Sequence, residues 1–236
     1  MLFEEYVIDH IDALPGDVYL LKLKPKSSPQ VFDFLPGQFC QVKNPDYKNP
    51  QESHLFSIAS SPTSKDYLEL CIKVYGFWTQ SLSQKKVGET LHISGPFGKF
   101  TWSENIKNAV FLAGGIGITP FMSMLRFFIA QKLNPQITLL YGSRTEDTIA
   151  YQKELENINK KLPNLKMVHI LSHLKPEDTW TGYRGFFTKD ILQKEIDVNS
   201  QPIFFICGPP IFVDLMKKLL KDLSIEEERI RFELFT

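Results

Sequence analysis

The sequence predicts a two-domain chain: an antiparallel β-barrel over residues 1–101, followed by an α/β domain with a doubly wound parallel sheet over residues 105–236. Two observations predict this division. Up to about residue 101, short runs alternate apolar with polar side chains and are separated by turn residues, as in small antiparallel barrels. After residue 105, near-continuous apolar runs alternate with helical patterns, as in sheets that are covered on both faces.

The first half contains six short runs, separated by Pro-Gly, Asn-Pro and Ser-Pro pairs. Alternation with period two places one face of each strand in a core and the other in solvent. The predicted strands are Tyr6–Ile8, Val18–Leu23, Gln38–Val42, Phe56–Ile58, Tyr67–Tyr75 and Thr90–Ile93. A short helix is predicted at Thr79–Gln84 with Thr79 as its N-cap, and a tight turn is predicted at Gly95–Gly98.

The second half has a regular strand–helix rhythm. Its predicted strands are Asn108–Leu112, Gln136–Tyr141, Lys166–Leu171, Pro202–Cys207 and Arg229–Phe235. Its predicted helices are Pro120–Leu133, Thr148–Leu162, Thr188–Glu195 and Pro209–Leu223. Because sheets of this kind bind ligands beyond the carboxyl ends of their strands, a site is expected there.

A glycine turn connects the first strand of this half to its first helix. Glycine lets the backbone approach a ligand closely, and a helix N-terminus attracts phosphate groups. The residues concerned are Gly114, Gly115 and Gly117, then Thr119, which suits an N-cap, and Pro120, which suits the first helical position. Proline stands where the usual dinucleotide pattern has its third glycine. A pyrophosphate site is therefore predicted, and the alternatives are a plain strand-to-helix connection and a membrane helix over residues 108–130.

Composition excludes several classes of function. Lys plus Arg and Asp plus Glu both number 27, whereas nucleic-acid binding normally leaves a basic surplus. Residues 1–6 lack the basic start and apolar core of a signal peptide. Cys40, Cys71 and Cys207 are too few and too far apart for a four-thiolate cluster or zinc site, and they fit a reducing compartment. We expect a cytoplasmic protein with no metal site and neither a nucleic-acid nor a membrane partner.

Six motifs, in order along nearly the whole chain, resemble the ferredoxin-NADP reductase superfamily. They are His54-Leu-Phe-Ser57, Gly76-Phe-Trp-Thr-Gln-Ser81, Gly95-Pro-Phe-Gly98, Gly114-Gly-Ile-Gly-Ile-Thr-Pro120, Tyr141-Gly-Ser-Arg144 and Cys207-Gly-Pro-Pro210. Members of this superfamily are flavoenzymes with an antiparallel FAD barrel followed by a nicotinamide-nucleotide domain. The resemblance implies that residues 1–101 bind FAD and that residues 105–236 bind NADPH or NADH.

In the barrel, the resemblance implies that Phe56 lies against the flavin and that the hydroxyl of Ser57 lies near flavin N5. The arginine with which the family meets the FAD pyrophosphate is replaced by His54. A neutral imidazole lacks the permanent, forked charge of a guanidinium, so FAD is expected to be held loosely. Lys73 is a candidate for compensating charge. The alternatives are a core phenylalanine, a strand-end serine and a solvated lysine.

Two further pairs of residues are implied on the flavin side. Gly76 and Thr79 resemble the residues with which the family begins a short helix on the flavin phosphates, although an ordinary capped helix is equally compatible. Glu233 and Phe235 resemble positions that place a carboxylate and an aromatic ring near the flavin. An outward charge and a core ring are the alternatives for this second pair.

On the nucleotide side, the resemblance implies that Cys207 lies near the nicotinamide and orients it, with Gly208 and Pro209 at the following helix start. The alternative is a small buried cysteine. Ser143 and Arg144 follow the second parallel strand, where an acidic residue selects NADH and an arginine accommodates the 2′-phosphate of NADPH. The missing acid at this strand end favours NADPH, and use of both nucleotides is the alternative.

Together these implications predict an NAD(P)H-dependent flavoprotein oxidoreductase of the ferredoxin or flavin reductase type. Ser57, Cys207 and Glu233 are the predicted catalytic residues. Hydride passes from nicotinamide to FAD, and electrons leave to an external acceptor: a ferredoxin-type protein, an oxygenase component or free flavin. The alternatives are a non-catalytic nucleotide-binding or electron-relay subunit of a larger redox complex, and an α/β protein with no redox role.

Overall fold

A computed structural model describes residues 2–234 of the chain. These residues form two compact units. The first contains the chain up to Thr101 together with Thr119–Ala130, and the second contains Trp102–Ile118 and the chain from Gln131. The helix that follows the glycine turn therefore packs with the first unit.

The first unit is an antiparallel barrel. Its strands are β1 Glu4–Leu14, β2 Val18–Pro25, β3 Phe39–Lys43, β4 Ser53–Ser57, β5 Leu68–Lys73 and β6 Thr90–Phe97. They are ordered β4-β3-β6-β1-β2-β5, and a bridge between Ile58 and Leu70 joins the two edges. The predicted barrel is confirmed.

Strand β6 continues past the point where the sequence predicts a turn. Gly95–Phe97 belong to β6, because Phe97 pairs with Phe39 of β3 and their rings lie 6.0 Å apart. The expected tight turn at Gly95–Gly98 is therefore wrong for all but its last residue. Gly98 follows the strand with a φ of 97°, a conformation that suits glycine.

Two helices complete the first unit. Helix α1, Gly76–Ser83, buries Trp78 and Leu82 in the core that the strands enclose. Helix α2, Thr119–Ala130, buries every residue from Thr119 to Leu125. Its Phe121 ring lies 5.8 Å from that of Phe100, the residue before the chain leaves the barrel. A helix buried around most of its circumference is stabilised mainly by tertiary packing.

The second unit contains a parallel sheet. Its strands are β7 Asn108–Gly114, β8 Gln136–Ser143, β9 Leu165–Leu171, β10 Tyr183–Arg184, β11 Ile203–Gly208 and β12 Ile230–Leu234, in the order β10-β9-β8-β7-β11-β12. The helices of this unit are α3 Gln152–Lys161, α4 Lys189–Glu195 and α5 Pro210–Asp222. The predicted doubly wound α/β fold is confirmed, and the sequence missed only the two-residue β10.

The order of the strands reverses at β7. From β7 the chain builds outward through β8 and β9, and it later returns to place β11 on the other side of β7. Such a reversal opens a crevice beyond the carboxyl ends of the two adjacent strands. The residues that follow β7 and β11 therefore stand where sheets of this kind bind ligands. None of the helices in residues 2–234 has the length and hydropathy that a membrane span requires.

Candidate functional site

The barrel carries an aromatic stack formed by one strand and one helix. His54 and Phe56 alternate with Leu55 along β4, so their side chains lie on the same face. Their rings are 4.2 and 5.8 Å from the Trp78 ring, with interplanar angles of 25° and 21°. Trp78 belongs to α1 and is 4% exposed. The indole therefore fixes α1 against β4.

The imidazole of His54 is held by two neighbours. One face stacks on Trp78, and Nε2 lies 3.1 Å from Oε1 of Glu52. A carboxylate at this distance offsets any positive charge on the ring and weakens its attraction for a phosphate. His54 thus differs from a pyrophosphate-binding arginine in charge and in its immediate partner.

Ser57 and Lys73 each stand at the end of a barrel strand. Ser57 closes β4, pairs with Phe39 and is buried. Lys73 closes β5 and is exposed. The Lys73 side chain therefore lies at the surface, whereas the Ser57 hydroxyl sits among protein atoms.

Helix α1 begins at Gly76, which corrects the prediction for Thr79. Gly76 has a φ of 79°, and a Cβ built there would meet no heavy atom within 4 Å. Thr79 lies inside the helix, where its Oγ1 accepts the Tyr75 N–H at 2.6 Å and donates to the Tyr75 carbonyl at 2.8 Å. Thr79 therefore ties the helix to the preceding residue from within, and it is not an N-cap. The first N–H groups of α1, near the open Gly76, have no acceptor within the helix.

A shallow cavity of about 300 Å³ lies along the outer face of α1. It is lined by Tyr47, Lys48, Phe77, Gln80, Ser81 and Gln84. The Lys48 ammonium lies 5.7 and 5.8 Å from the rings of Tyr47 and Phe77. Phe77 is 78% exposed. Two aromatic faces, an ammonium and two amides suit a planar ligand with polar edges and a nearby negative charge.

The glycine turn of the second unit packs closely against β11. Gly115–Ile118 form a 3₁₀ turn that continues directly into α2. A Cβ built at Gly117 would lie 2.2 Å from the carbonyl oxygen of Cys207, whereas Gly115, with a φ of 54°, has no heavy atom within 4 Å of such a position. The turn thus presents Gly115 to open space and rests Gly117 on the neighbouring strand.

The start of this helical run corrects the predicted roles of two residues. Because the 3₁₀ turn already begins at Gly115, Thr119 and Pro120 lie within a continuous helical segment. Thr119 is therefore not an N-cap, and it is 1% exposed. The positive φ of Gly115 is what allows the chain to leave β7 and begin turning four residues early.

Cys207 lies beside this turn at the carboxyl end of β11. It pairs with Ala113 of β7 and Glu233 of β12, and it is completely buried. Burial, with a smaller contribution from the Glu233 charge, raises the pKa of the Cys207 thiol well above its usual value. The group is therefore a neutral thiol at neutral pH and not a nucleophilic thiolate.

Phe212, which the sequence analysis did not single out, closes the space around the two strand ends. A Cβ built at Gly114 or at Gly208 would lie 2.7 Å from a carbon of the Phe212 ring. The ring also packs edge-on against Phe187 at 5.2 Å. Glycine at 114 and 208 therefore leaves room for one aromatic side chain from the first turn of α5. The only signal in the sequence was the pair of glycines at 114 and 208.

The carboxyl end of β8 is tied to the end of β9. The carbonyl of Ser143 accepts the Ser172 N–H at 3.0 Å, and the carbonyl of Arg144 accepts the His173 N–H at 2.8 Å. Arg144 and His173 are both exposed. Ser143 is 8% exposed, and its Oγ has no hydrogen-bond partner among the residues that the structure describes. The structure thus adds His173 to the predicted pair at this edge.

The remaining predicted residues lie along β11 and β12. Gly208 ends β11, and Pro209 is the N-cap of α5 with Pro210 in the first turn. Glu233 belongs to β12 and is half-buried. Phe235 lies outside the described residues. Within residues 2–234, no three His, Cys, Asp or Glu side chains are grouped as a metal site would require.

Each half of the chain matches a known domain family. Residues 5–102 match the oxidoreductase FAD-binding domain family, and residues 111–218 match the oxidoreductase NAD-binding domain family. The chain belongs to the ferredoxin-NADP reductase superfamily. The cofactors of its two domains are FAD and NAD(P)H. The open glycine at the start of α1 and the glycine turn at the sheet reversal fit the phosphate groups of two such cofactors.

Individual relatives agree with this assignment. The chain is 28% identical over 232 residues to the electron transfer component of anthranilate 1,2-dioxygenase from Acinetobacter baylyi, covering 97% of this chain and 66% of that protein. It is 31% identical over 176 residues to NADH-cytochrome b5 reductase 1 of Dictyostelium discoideum, covering 72% of this chain and 61% of that protein. The chain thus spans less than two thirds of the length of these relatives.

A solved structure has the same fold. The FAD/NAD-binding domain of nitric oxide dioxygenase from Vibrio cholerae superposes with a TM-score of 0.88 at 21% identity and covers 98% of each chain. At this identity the similarity establishes the fold alone. Function must therefore be argued from the residues.

Proposed function

We propose that the chain is an NAD(P)H-dependent flavoprotein oxidoreductase that passes electrons to an external acceptor. The observation that supports this most strongly is the packing of the glycine turn against β11. Gly117 rests on the Cys207 carbonyl at the strand reversal of a parallel sheet, while Gly115 remains open. This is a preformed pyrophosphate site in a chain that also contains an FAD-binding domain.

The barrel residues have distinct tasks in this proposal. Phe56 offers a ring face to the flavin, Ser57 a hydroxyl near its N5, and Lys73 a positive charge. Gly76 and the first N–H groups of α1 hold the phosphates, and Thr79 braces that helix start by accepting the Tyr75 N–H. The cavity beside Phe77 receives the adenosine end of FAD, whose planar base and polar edges match its lining.

The residues of the second unit hold the nicotinamide nucleotide. Gly114, Gly115 and Gly117 bring the backbone to the pyrophosphate, and the following helix, which starts at Thr119 and Pro120, holds the turn in place. Cys207 acts by contact, because its neutral thiol offers a small, polarisable surface at the strand end. Gly208, Pro209 and Phe212 shape the same edge. Glu233 provides a carboxylate on the neighbouring strand β12.

Once both cofactors are bound, the nicotinamide supplies a hydride to the flavin, and the flavin supplies electrons to the acceptor. The acceptor is an oxygenase component, a ferredoxin-type protein or free flavin. The pairing of His54 with Glu52 favours the last of these, because a weakened pyrophosphate contact allows flavin to exchange. We propose a cytoplasmic location, since three buried cysteine thiols suit a reducing compartment.

We further propose a preference for NADPH. The Arg144 carbonyl accepts the His173 N–H at the ends of β8 and β9, where the 2′-phosphate of NADPH would lie, and Arg144 offers a permanent charge. Replacing Arg144 with alanine should raise the KM for NADPH about tenfold and leave that for NADH within about twofold. Equal changes for both nucleotides would contradict this assignment.

Steady-state turnover of the purified chain tests the proposed activity. NADPH and NADH are each assayed with ferricyanide, FMN and FAD as acceptors, and the protein is examined for bound flavin. The expected result is flavin-dependent turnover that Ser57→Ala lowers by about tenfold. Ser94→Ala, a change at another buried serine of the barrel, is the matched control and should have little effect.

The same assay separates the alternative. A non-catalytic relay or nucleotide-binding subunit would bind NADP⁺ without oxidising NADPH in the presence of FAD. Unchanged hydride transfer in Ser57→Ala would show instead that the enzyme assignment holds but that the role of this hydroxyl is wrong.

A further inference from the structure

Strand β5 contains one buried carboxylate among apolar residues. Glu69 is 3% exposed, and its neighbours Leu68, Leu70, Cys71 and Ile72 are all buried. Removing a carboxylate from water is costly unless a charged partner and hydrogen bonds replace the solvent. The position of Glu69 therefore requires an explanation.

Its partner comes from helix α2. Nη1 of Arg126 lies 2.7 Å from Oε1 of Glu69 and also donates to the carbonyl of Ala59 at 2.8 Å. The side chains of Arg126 and Glu69 are 17% and 5% exposed. At this burial the pair is shielded from salt and acts as a directional contact between α2 and β5.

Further hydrogen bonds extend this contact to the segment that follows β4. The hydroxyl of Ser123 on α2 donates to the Ser60 carbonyl at 2.7 Å, and the Glu69 N–H donates to Oγ of Ser60 at 3.1 Å. The Ala59 N–H donates to the Glu69 carbonyl at 2.8 Å. We call Ala59, Ser60, Glu69, Ser123 and Arg126 the Glu69 network. It joins α2, β5 and the segment that follows β4 within one compact unit.

Apolar packing already buries most of α2. Its first seven residues are all buried, and a buried ion pair is often no more stabilising than apolar side chains of the same volume. What an ion pair adds is a single register, because the guanidinium and carboxylate meet in few geometries. The Glu69 network is therefore better suited to fixing position than to adding stability.

Each arm of the network leads to a residue with a cofactor role in the proposed function. Arg126 lies six residues after Pro120, about 9 Å along the helix at 1.5 Å per residue, and the glycine turn precedes that point directly. Glu69 lies on β5, the strand that precedes Gly76 and α1. Ala59 comes two residues after Ser57. Within the first unit, this buried contact therefore fixes α2, β5 and the segment after β4 against one another.

We propose that Glu69 and Arg126 are positioning residues for hydride transfer. This inference rests on the proposed function and adds to it the residues that hold α2, with Thr119 and Pro120 in its first turn, in register with the flavin strand β4 within one compact unit. They touch neither cofactor in this assignment. Their loss should impair the rate of the reaction more than the binding of either cofactor, because small misplacements of reacting groups are costly.

The test uses a paired substitution that avoids leaving one buried charge alone. In the full chain, Glu69→Gln is combined with Arg126→Met, and Arg126→Lys alone serves as the conservative variant. The matched control combines Lys166→Met with Glu195→Gln, since Lys166 Nζ and Glu195 Oε2 lie 2.8 Å apart at a pair outside both predicted sites. FAD content, NADP⁺ affinity, kcat, KM and thermal unfolding are measured for each.

We expect kcat for NADPH-driven ferricyanide reduction to fall about tenfold in the paired variant, with FAD content and NADP⁺ affinity within about twofold. Arg126→Lys should recover part of kcat, and the control pair should alter thermal unfolding alone. An unchanged kcat in folded protein overturns the proposal, as does a fall in kcat that only follows the folded fraction. If the paired variant does not fold, Arg126→Lys decides: a wild-type kcat overturns the proposal.

Failure of the proposed function would have a different signature, because the wild type itself would then show no flavin-dependent turnover. In that event, amide exchange along α2 still tests the network. Faster exchange at Thr119–Ala130 in Arg126→Lys than in the control pair supports the positional role, and equal exchange contradicts it.

Discussion

The chain has two glycine-initiated helix starts, and they are built in opposite ways. At α1, Gly76 has open space around it and is flanked by Tyr75 and Phe77, which are 91% and 78% exposed. At the turn after β7, Gly117 is pressed against the Cys207 backbone, and Ile118 is fully buried. The first start is exposed on most sides, whereas the second is part of a packed core.

The turn after β7 is already packed by protein atoms, whereas the exposed start of α1 would be covered only by a bound ligand. The backbone of the turn is held by a neighbouring strand, so little ordering remains when a nucleotide binds. The start of α1 leaves large aromatic surface in water, and a bound cofactor would cover it. We therefore expect the nucleotide site to be sensitive to steric change and the flavin site to be sensitive to loss of contact area and charge.

Adding one methyl group at Gly117 should have the largest effect on stability and nucleotide binding. Gly117→Ala places Cβ 2.2 Å from a backbone carbonyl oxygen that cannot move aside. We expect a loss of about 3 kcal/mol in the free energy of unfolding, together with loss of NADP⁺ binding. Urea unfolding and calorimetric titration measure the two effects.

The matched control for this change is Gly115→Ala in the same turn. Its Cβ would meet open space, and the remaining cost is that of a φ of 54° for a residue other than glycine, about 1 kcal/mol. Equal losses at the two positions would show that the close packing of Gly117 is not what matters.

The wedge formed by Phe212 gives the second test. Gly114→Ala brings a methyl group to 2.7 Å from the Phe212 ring, and overpacking of this kind costs about 2 kcal/mol. Phe212→Leu removes part of that ring. The double variant should therefore lose less stability than the sum of the two single changes, as residues in contact do. Additive losses in chemical denaturation would refute the wedge.

The sequence could predict the sheet around this wedge, since β7, β8, β9 and β11 are near-continuous apolar runs and β12 was predicted as the final strand. It could not predict Phe212, because an aromatic residue at a helix start has no distinctive pattern and its partners are glycines 98 and 4 positions away. Local signals place elements on a chain. They do not show which side chain fills the space above a glycine.

Helix starts were predicted from residue preferences, and these misled at Thr79 and Thr119. Both threonines lie after a glycine with positive φ that had already turned the chain into a helix. The packing partners of α2 were not visible in the sequence for a different reason. The Glu69–Arg126 pair is a long-range contact between residues 57 positions apart. The roles of Ser57, Cys207 and Glu233 stay predictions.

In the first unit, removing one exposed aromatic ring should reduce the affinity for FAD. Phe77→Ala removes an aromatic face from the cavity beside α1. We expect FAD to bind about tenfold more weakly, as for the loss of one stacked base, while FMN, which lacks adenosine, binds within about twofold of wild type. Val87→Ala, at another exposed apolar residue of the barrel, should change neither. Equal losses for FAD and FMN would place the adenosine elsewhere.

The smallest expected effect concerns the charge beside His54. Glu52 presents Oε1 at 3.1 Å from His54 Nε2, and the two side chains are 36% and 38% exposed, so solvent screens much of their interaction. Glu52→Gln keeps the shape of the side chain and removes the negative charge. We expect FAD to bind about threefold more tightly, since the pyrophosphate then meets less repulsion. The gain should shrink at high salt, because an exposed charge is screened there. Titration of the flavin-free protein with FAD at two ionic strengths measures both, and an affinity that is unchanged at low salt would show that the pyrophosphate lies away from this pair.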